Sequence, residues 1–427
     1  MLLAFGSFFV LLALGTPIFV GIFLGAGLGL WIIRGYDTVL AFFSHSIHAI
    51  LAQYFFAVLP LFILVGTLAE AGGLGVRAYE AFHKLVGHIR GGLLVSTTYA
   101  AAAFGACSGS SVASAALFTK IALPELRKYQ YDEKISLGCI ATAGSLAILI
   151  PPSGMMVIFG VLTETSVGRL LIGGILPGIV LAAMLGIMVY TMCRINPKLS
   201  PVMVEPASWP VRIRSLAGIW PVFAVFIVII VSIYTGLVTP SEAAALGAVI
   251  VLLWNFIIRT PAKKIINGFR EAVIASAQIT ILLVGGLMLS KVVAYSGIPR
   301  MLIEWIKVSD FSLPLIWGML ILMWIVLGMI IDSTSQLVLT LPFVFPVMTS
   351  LGVSPIVLGV VAIVTIEMGV ITPPVGFNCY IVASLAGVDP VVAFKGIMPF
   401  FLLLIVATIV FILFPGLSTW LPTMAFG

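Results

Sequence analysis

Charge is scarce in this chain. Only 8% of its 427 residues are Asp, Glu, Lys or Arg, whereas 62% are apolar. A solvated globular surface needs more, since soluble domains carry roughly 25% charged residues, so this is the composition of a polytopic membrane protein. Histidine and cysteine are scarcer still, with four of each. Cys107, Cys139, Cys193 and Cys379 lie in or beside apolar runs without metal-ligand spacing, and read as small buried residues, not disulfides. No Ser-His-Asp order, HExxH motif, phosphate loop or metal cluster is present, so nothing points to covalent catalysis. Long polar stretches are missing too: the longest, at 194–214, is too short to fold alone. The first apolar run lacks a basic n-region and a small-residue cleavage site, so it reads as a mature membrane segment. The net charge of +6 sits in short loops between apolar segments, which makes it a topology signal and not a nucleic-acid footprint.

What is present is organised around residues 371–380, ITPPVGFNCY, inside an almost unbroken apolar run. Adjacent prolines remove two N–H donors and clash with the preceding turn, so no helix passes through Pro373-Pro374 intact. In hydrocarbon the freed carbonyls must find partners, so such a break lines a protein-walled or wet cavity. A second copy precedes it at an offset of 222, where Ile150-Pro151-Pro152-Ser153-Gly154 answers Thr372-Pro373-Pro374-Val375-Gly376. Paired broken helices point to a transporter's binding site; two ordinary proline kinks are the plainer alternative.

Residues 91–124 are rich in small side chains and hold Phe104-Gly105-Ala106-Cys107-Ser108-Gly109-Ser110-Ser111 at their centre. The apolar arms, about 15 residues each, reach mid-membrane and return but do not cross twice. The expectation is a re-entrant helical hairpin with Ser108–Ser111 at its tip, against a competing reading as Gly/Ser/Ala helix packing. In the second half Gly328-Met329-Ile330-Ile331-Asp332-Ser333-Thr334 takes that place, giving a second hairpin over about 313–346. Thr239-Pro240 repeats Thr16-Pro17 at an offset of 223, while Pro346 repeats Pro124 and Gly396–Pro399 repeats Gly174–Pro177 at 222. The chain is read as a duplication.

Loop charge sets the topology. Placing 77–90, 120–134, the polar stretch 194–214, 259–270 and Lys395 in the cytoplasm puts 16 of the 21 Lys and Arg there. An odd number of crossings per half then inverts the second copy, and the hairpin tips meet near the midplane. The expected fold is an all-α polytopic membrane protein of two inverted repeats, 1–200 and 218–427, joined by a linker at 201–217. Within them, 1–75 and 218–292 are the fixed scaffold, and 91–193 and 313–414 are the transport elements. Uniformly apolar 216–234, 50–71 and 274–289 suit lipid or partner-helix contact, and Trp31, Trp220 and Trp254 suit interfacial anchors. Residues 78–90 read as an amphipathic interfacial helix, with His83 and His88 solvated.

Acidic residues inside apolar runs need a reason. Asp332 suits three roles: part of a cation site, a proton carrier, or a cap on the N–H groups of Ser333 and Thr334. Glu367 lies six residues before the proline pair; Glu242 marks a helix start, and Glu70 and Glu164 read as interfacial. Freed carbonyls joined to the hydroxyls of Ser108, Ser110, Ser333 and Thr334 form a hard-oxygen shell that suits Na⁺. Opposing half-helix N-termini suit a carboxylate. A few side chains around Ser111 and Asn378 are expected to set specificity.

Taken in order, FGACSGSS, LIPPSG with VIFGVLT, GGILPG, TPSEAAALGA, GMIIDSTS and GVITPPVGFN resemble the large membrane subunit of TRAP (tripartite ATP-independent periplasmic) transporters over nearly the whole chain. The resemblance implies an elevator-type, Na⁺-coupled importer of an organic acid such as a C4-dicarboxylate, sialic acid or another sugar or keto acid. It also implies a bacterial or archaeal inner-membrane location, a periplasmic binding protein and a small four-helix membrane subunit, here expected as a separate chain. Carried over by motif, one sodium site falls at Ser108, Gly109 and Ser110 with Pro151 and Pro152. The other falls at Asp332, Ser333 and Thr334 with Thr372, Pro373 and Gly376. Ser110, Ser111, Ser153 and Asn378 are the expected substrate contacts. One departure is Ala116-Leu117-Phe118-Thr119-Lys120, where the family usually has a glycine near Thr119. Two rivals are an ion-coupled carrier of the same plan that needs no binding protein, and a membrane enzyme acting on a lipid-linked acid. The enzyme would need clustered carboxylates or histidines at one face, and the sequence scatters them.

Overall fold

A computed structural model describes residues 14–46, 55–202 and 205–426, together with Gly6, Val10 and Leu11. Expectations for most of residues 1–13 and for 47–54, His48 included, lie outside the described residues. Every regular element among the described residues is helical.

The first hairpin is built from Gly92–Ser108 and Ser111–Lys128. Gly109 closes the first arm with φ +58, a conformation glycine adopts without steric cost, and Ser110 caps the second by accepting from Ala113 N. The chain reverses at this point. Phe104 and Phe118 bring their ring centroids to 6.1 Å, whereas a continuous helix between them would hold them about 21 Å apart. The second hairpin, Leu313–Gly328 and Ser333–Ser350, also doubles back, with Trp324 Nε1 donating to Thr340 Oγ1 at 3.0 Å, although its first arm ends at Met329 in the right-handed helical conformation and not at a left-handed glycine.

Both proline pairs break their helices. Glu133–Leu149 gives way to Gly154–Thr163 with a 47° bend, and Pro355–Val370 gives way to Phe377–Ala386. Pro151-Pro152 and Pro373-Pro374 are both cis. Each hairpin's first arm crosses its own broken helix at glycine. A Cβ on Gly105 would lie 2.4 Å from Ala147 Cα, and one on Gly328 would lie 2.7 Å from Gly369 Cα. Gly328 answers Gly105, and Gly369 answers Ala147, at the same offset that relates the proline pairs, to within one position.

Ile18–Arg34, Phe55–Ala71, Trp220–Tyr234, Pro240–Ile257 and Ala262–Ser296 pack into one group. Buried Asn255 ties two of them by donating to Leu68 O at 3.0 Å. The hairpins, the broken helices and Pro390–Leu413 form a second group, which meets the first where Phe55–Ala71 and Ala262–Ser296 face the hairpins.

Several expectations are corrected. The apolar stretch 216–234 begins in the last turn of Trp209–Ala217 and continues as Trp220–Tyr234 at 51° to it, because Gly218 and Pro221 interrupt the ladder. The basic stretch 259–270 is not a loop beyond Pro261; it belongs to the 35-residue helix Ala262–Ser296, about 52 Å long. The amphipathic helix is Leu74–Val86, bounded by Gly73 and Gly87 and set at 63° to the helix before it. Trp254 is buried, stacked edge-on against Trp220 and covered by the Arg77 guanidinium, so it is no interfacial anchor. His83 and His88 are half-buried, not solvated.

Thr239 and Glu242 form a reciprocal capping box at the start of Pro240–Ile257. Glu242→Ala removes the acceptor for Thr239 N and is expected to lower the thermal midpoint. Thermal unfolding in detergent measures this, and an unchanged midpoint would refute it.

Candidate functional site

Between the two helix groups lies a cavity of about 350 Å³. Its wall brings together Ser108, Gly109, Ser110 and Ser111 from the first tip, Pro152 from the first break, and Asp332, Ser333 and Thr334 from the second tip. Helices Ser111–Lys128, Gly154–Thr163 and Ser333–Ser350 all point their N-termini at it. The positive ends of three helix dipoles therefore face one space, which favours an anionic group there.

The first tip sits directly on the first break, since a Cβ on Gly109 would lie 3.2 Å from Pro152 O. Ser108 Oγ and Ser114 Oγ are 3.2 Å apart. Asp332 takes the capping role, but one residue later than expected: its Oδ2 accepts from Thr334 N and Ser335 N, each at 3.1 Å, and not from Ser333. Extended backbone at Asp332 turns its carboxylate past the first helical residue.

Other expected residues are placed elsewhere. Ser153 is fully buried in the cap of Gly154–Thr163, where it donates to Ile148 O and accepts from Met156 N. Its hydroxyl is thus taken up by backbone, off the cavity wall. Asn378 is also fully buried and off the wall, with neither amide atom hydrogen-bonded. Pro151 is buried beside Pro152, whereas Pro373 is exposed and Gly376 is buried in the αL conformation. Thr372 donates to Met368 O at 2.5 Å, and Cys379 Sγ donates to Ile371 O at 3.3 Å. Carbonyls freed by the breaks are therefore partly claimed by the chain's own side chains. The second break reaches its hairpin through Val375 N, which donates to Met329 O at 3.2 Å.

Three residues gain a place that sequence reasoning did not assign. Glu70, read as interfacial, lines the cavity, and so does Glu271 from the long helix. With Asp332 they put three carboxylates on a wall that has no Lys or Arg among its described residues. Glu367 lies just behind the wall, 1% exposed, accepting from Ser333 Oγ at 2.5 Å and Ser111 Oγ at 3.4 Å. Its position in an apolar run was the available signal, but nothing in the local sequence names its partners.

The family model described as "Tripartite ATP-independent periplasmic transporter, DctM component" matches residues 5–417. The chain is 32% identical over 449 residues to the C4-dicarboxylate TRAP transporter large permease protein DctM of Vibrio cholerae serotype O1, covering 98% of this chain and 96% of that relative. It is 29% identical over 372 residues to the sialic acid TRAP transporter large permease protein SiaM of the same organism, covering 86% of each. In fold it is similar to the YdaH transporter of Alcanivorax borkumensis, with a TM-score of 0.67 at 14% identity over 90% of both chains.

Proposed function

Since the chain belongs to the DctM component family of tripartite ATP-independent periplasmic transporters, we propose that it is the permease of a Na⁺-coupled importer of an organic acid. The relatives are transporter permeases, not enzymes. In this reading a periplasmic binding protein delivers the solute and a small four-helix subunit docks on the helix group containing Trp220–Tyr234. The two repeats are inverted, and the hairpins with their broken helices carry the cavity between the membrane faces as an elevator. Na⁺ binds at Ser108–Ser110 with Pro151-Pro152, and at Asp332–Thr334 with the second break.

One observation carries the coupling. Glu70, Glu271 and Asp332 face a cavity whose described wall has no basic side chain. A carboxylate entering it meets like charge, which costs energy that the three helix N-termini only partly offset. Bound cations remove that penalty, so Na⁺ enters first and the acid follows. The second hairpin's Asp332 cap and the first tip's hydroxyls supply the hard oxygens that Na⁺ prefers.

Reconstituted with its two partners, the permease is expected to show uptake that rises steeply with external Na⁺. Equal uptake in choline buffer without a proton gradient would overturn the coupling. Ser110→Leu removes both a cap acceptor and a hydroxyl of the first site, and should raise the Na⁺ requirement or abolish transport. Full uptake without the binding protein would favour the carrier of the same plan that works alone.

A further inference from the structure

Glu367 is a buried carboxylate for which import chemistry, as read above, has no use. It lies at 1% exposure in the second broken helix, and its Oε1 accepts from Ser111 and Ser333. Those two serines hold the same place in the two halves. Each is the first helical residue after its hairpin tip, and they are related by the repeat offset of 222. The partner of Glu367 under the same offset is Ser145 in the first broken helix. Ser145 is itself buried and lies beside the Glu367 carboxylate. The first tip is held close to this spot, because a Cβ on neighbouring Gly144 would lie 2.7 Å from Ser111 O.

Four polar side chains, one from each hairpin and one from each broken helix, thus converge on a single buried point at matching registers. Such a point is where a pseudo-two-fold axis relating the halves would run. A lone carboxylate there is costly, and an apolar side chain of similar volume would pack without that cost. What the carboxylate does that no apolar residue does is accept from both tips at once.

We propose that Glu367 is the positioning residue that ties the two hairpin tips into one unit, so that Na⁺ binding at one tip is felt at the other. This rests on the Na⁺-coupled reading above. Both tips hang on one oxygen atom, so ordering either tip fixes that atom for its counterpart. Cooperative Na⁺ dependence is the consequence, with the two sites linked through the Glu367 carboxylate and not through the solute.

The test is a Na⁺ titration of uptake in proteoliposomes with the partner proteins present. The wild type is expected to give a Hill coefficient above one. Glu367→Ala should bring it to about one and raise half-saturating Na⁺ about ten-fold. Glu367→Gln keeps an acceptor oxygen and should retain cooperativity. The decisive variant moves the carboxylate across the axis: Glu367→Ser combined with Ser145→Glu should recover cooperativity that Glu367→Ser alone lacks. A purely structural role would change the amount of active protein but not the Hill coefficient. An Ala variant as cooperative as the wild type overturns the proposal while the Na⁺-coupled reading stands, whereas a wild type indifferent to Na⁺ overturns both. Should the Ala variant fail to fold, the swap decides, and a swap no more cooperative than Glu367→Ser alone sinks the idea.

Discussion

Gly66→Val is expected to lower uptake roughly 100-fold while leaving the permease folded and in the membrane. Gly66 lies in Phe55–Ala71, where that helix crosses the first hairpin tip. A Cβ there would stand 2.8 Å from Ser108 O and 2.9 Å from Ser108 Cα. Both atoms are backbone, so no rotamer change relieves the clash, and the tip itself has to retreat. Overpacking of this kind costs about 1–3 kcal/mol, which shifts a two-state equilibrium by roughly 5- to 150-fold. The displaced carbonyl belongs to a residue of the proposed first sodium site, so the loss should appear in the Na⁺ requirement as well as in the rate. Gly66→Ala should fall between valine and wild type. Normal uptake at normal Na⁺ affinity in the valine variant would show that this contact does not bear on transport.

At Asp332 the expected result is a separation of two roles by two substitutions. The carboxylate caps Ser333–Ser350 through Thr334 N and Ser335 N, and it also lines the cavity. Asparagine is as good an N-cap as aspartate, so Asp332→Asn keeps the helix start and removes only the charge. Asp332→Ala removes both, at a further cost of about 1 kcal/mol to the hairpin. Losing one charge next to a bound cation should weaken Na⁺ by about ten-fold or more. Asp332→Asn is therefore expected to raise half-saturating Na⁺ with thermal stability unchanged, and Asp332→Ala to lower stability too. If asparagine transports at wild-type Na⁺, the carboxylate is a cap and nothing more.

Much of this architecture is legible in one dimension because its causes are local. Pro151-Pro152 and Pro373-Pro374 stop their helices wherever the chain goes, since the missing N–H and the ring clash act within one turn. Gly109 and Ser110 likewise end one helix and start the next by backbone freedom and capping. The constant offset between the halves is a property of the string alone. Helix ends are harder to read. Ala262–Ser296 runs through a basic stretch that resembles a loop, because a helix leaving a membrane face needs no apolar pattern to continue.

By itself, then, the sequence determined that this is an all-helical membrane protein with two broken helices, two reversing hairpins and the signature of its family. The tertiary structure alone decided which side chains share a space. Ser153 and Asn378 sit in motifs read as solute contacts, yet both point into protein, because a helix's rotation about its axis is set by what it packs against. Glu70 and Glu271 come from spans in different halves of the chain, and nothing local brings them to one wall. Glu367 meets Ser111 across 256 positions of chain. Breaks and caps are settled within a turn, so residues announce them; contacts between distant helices depend on the packing of everything between, which no short stretch encodes.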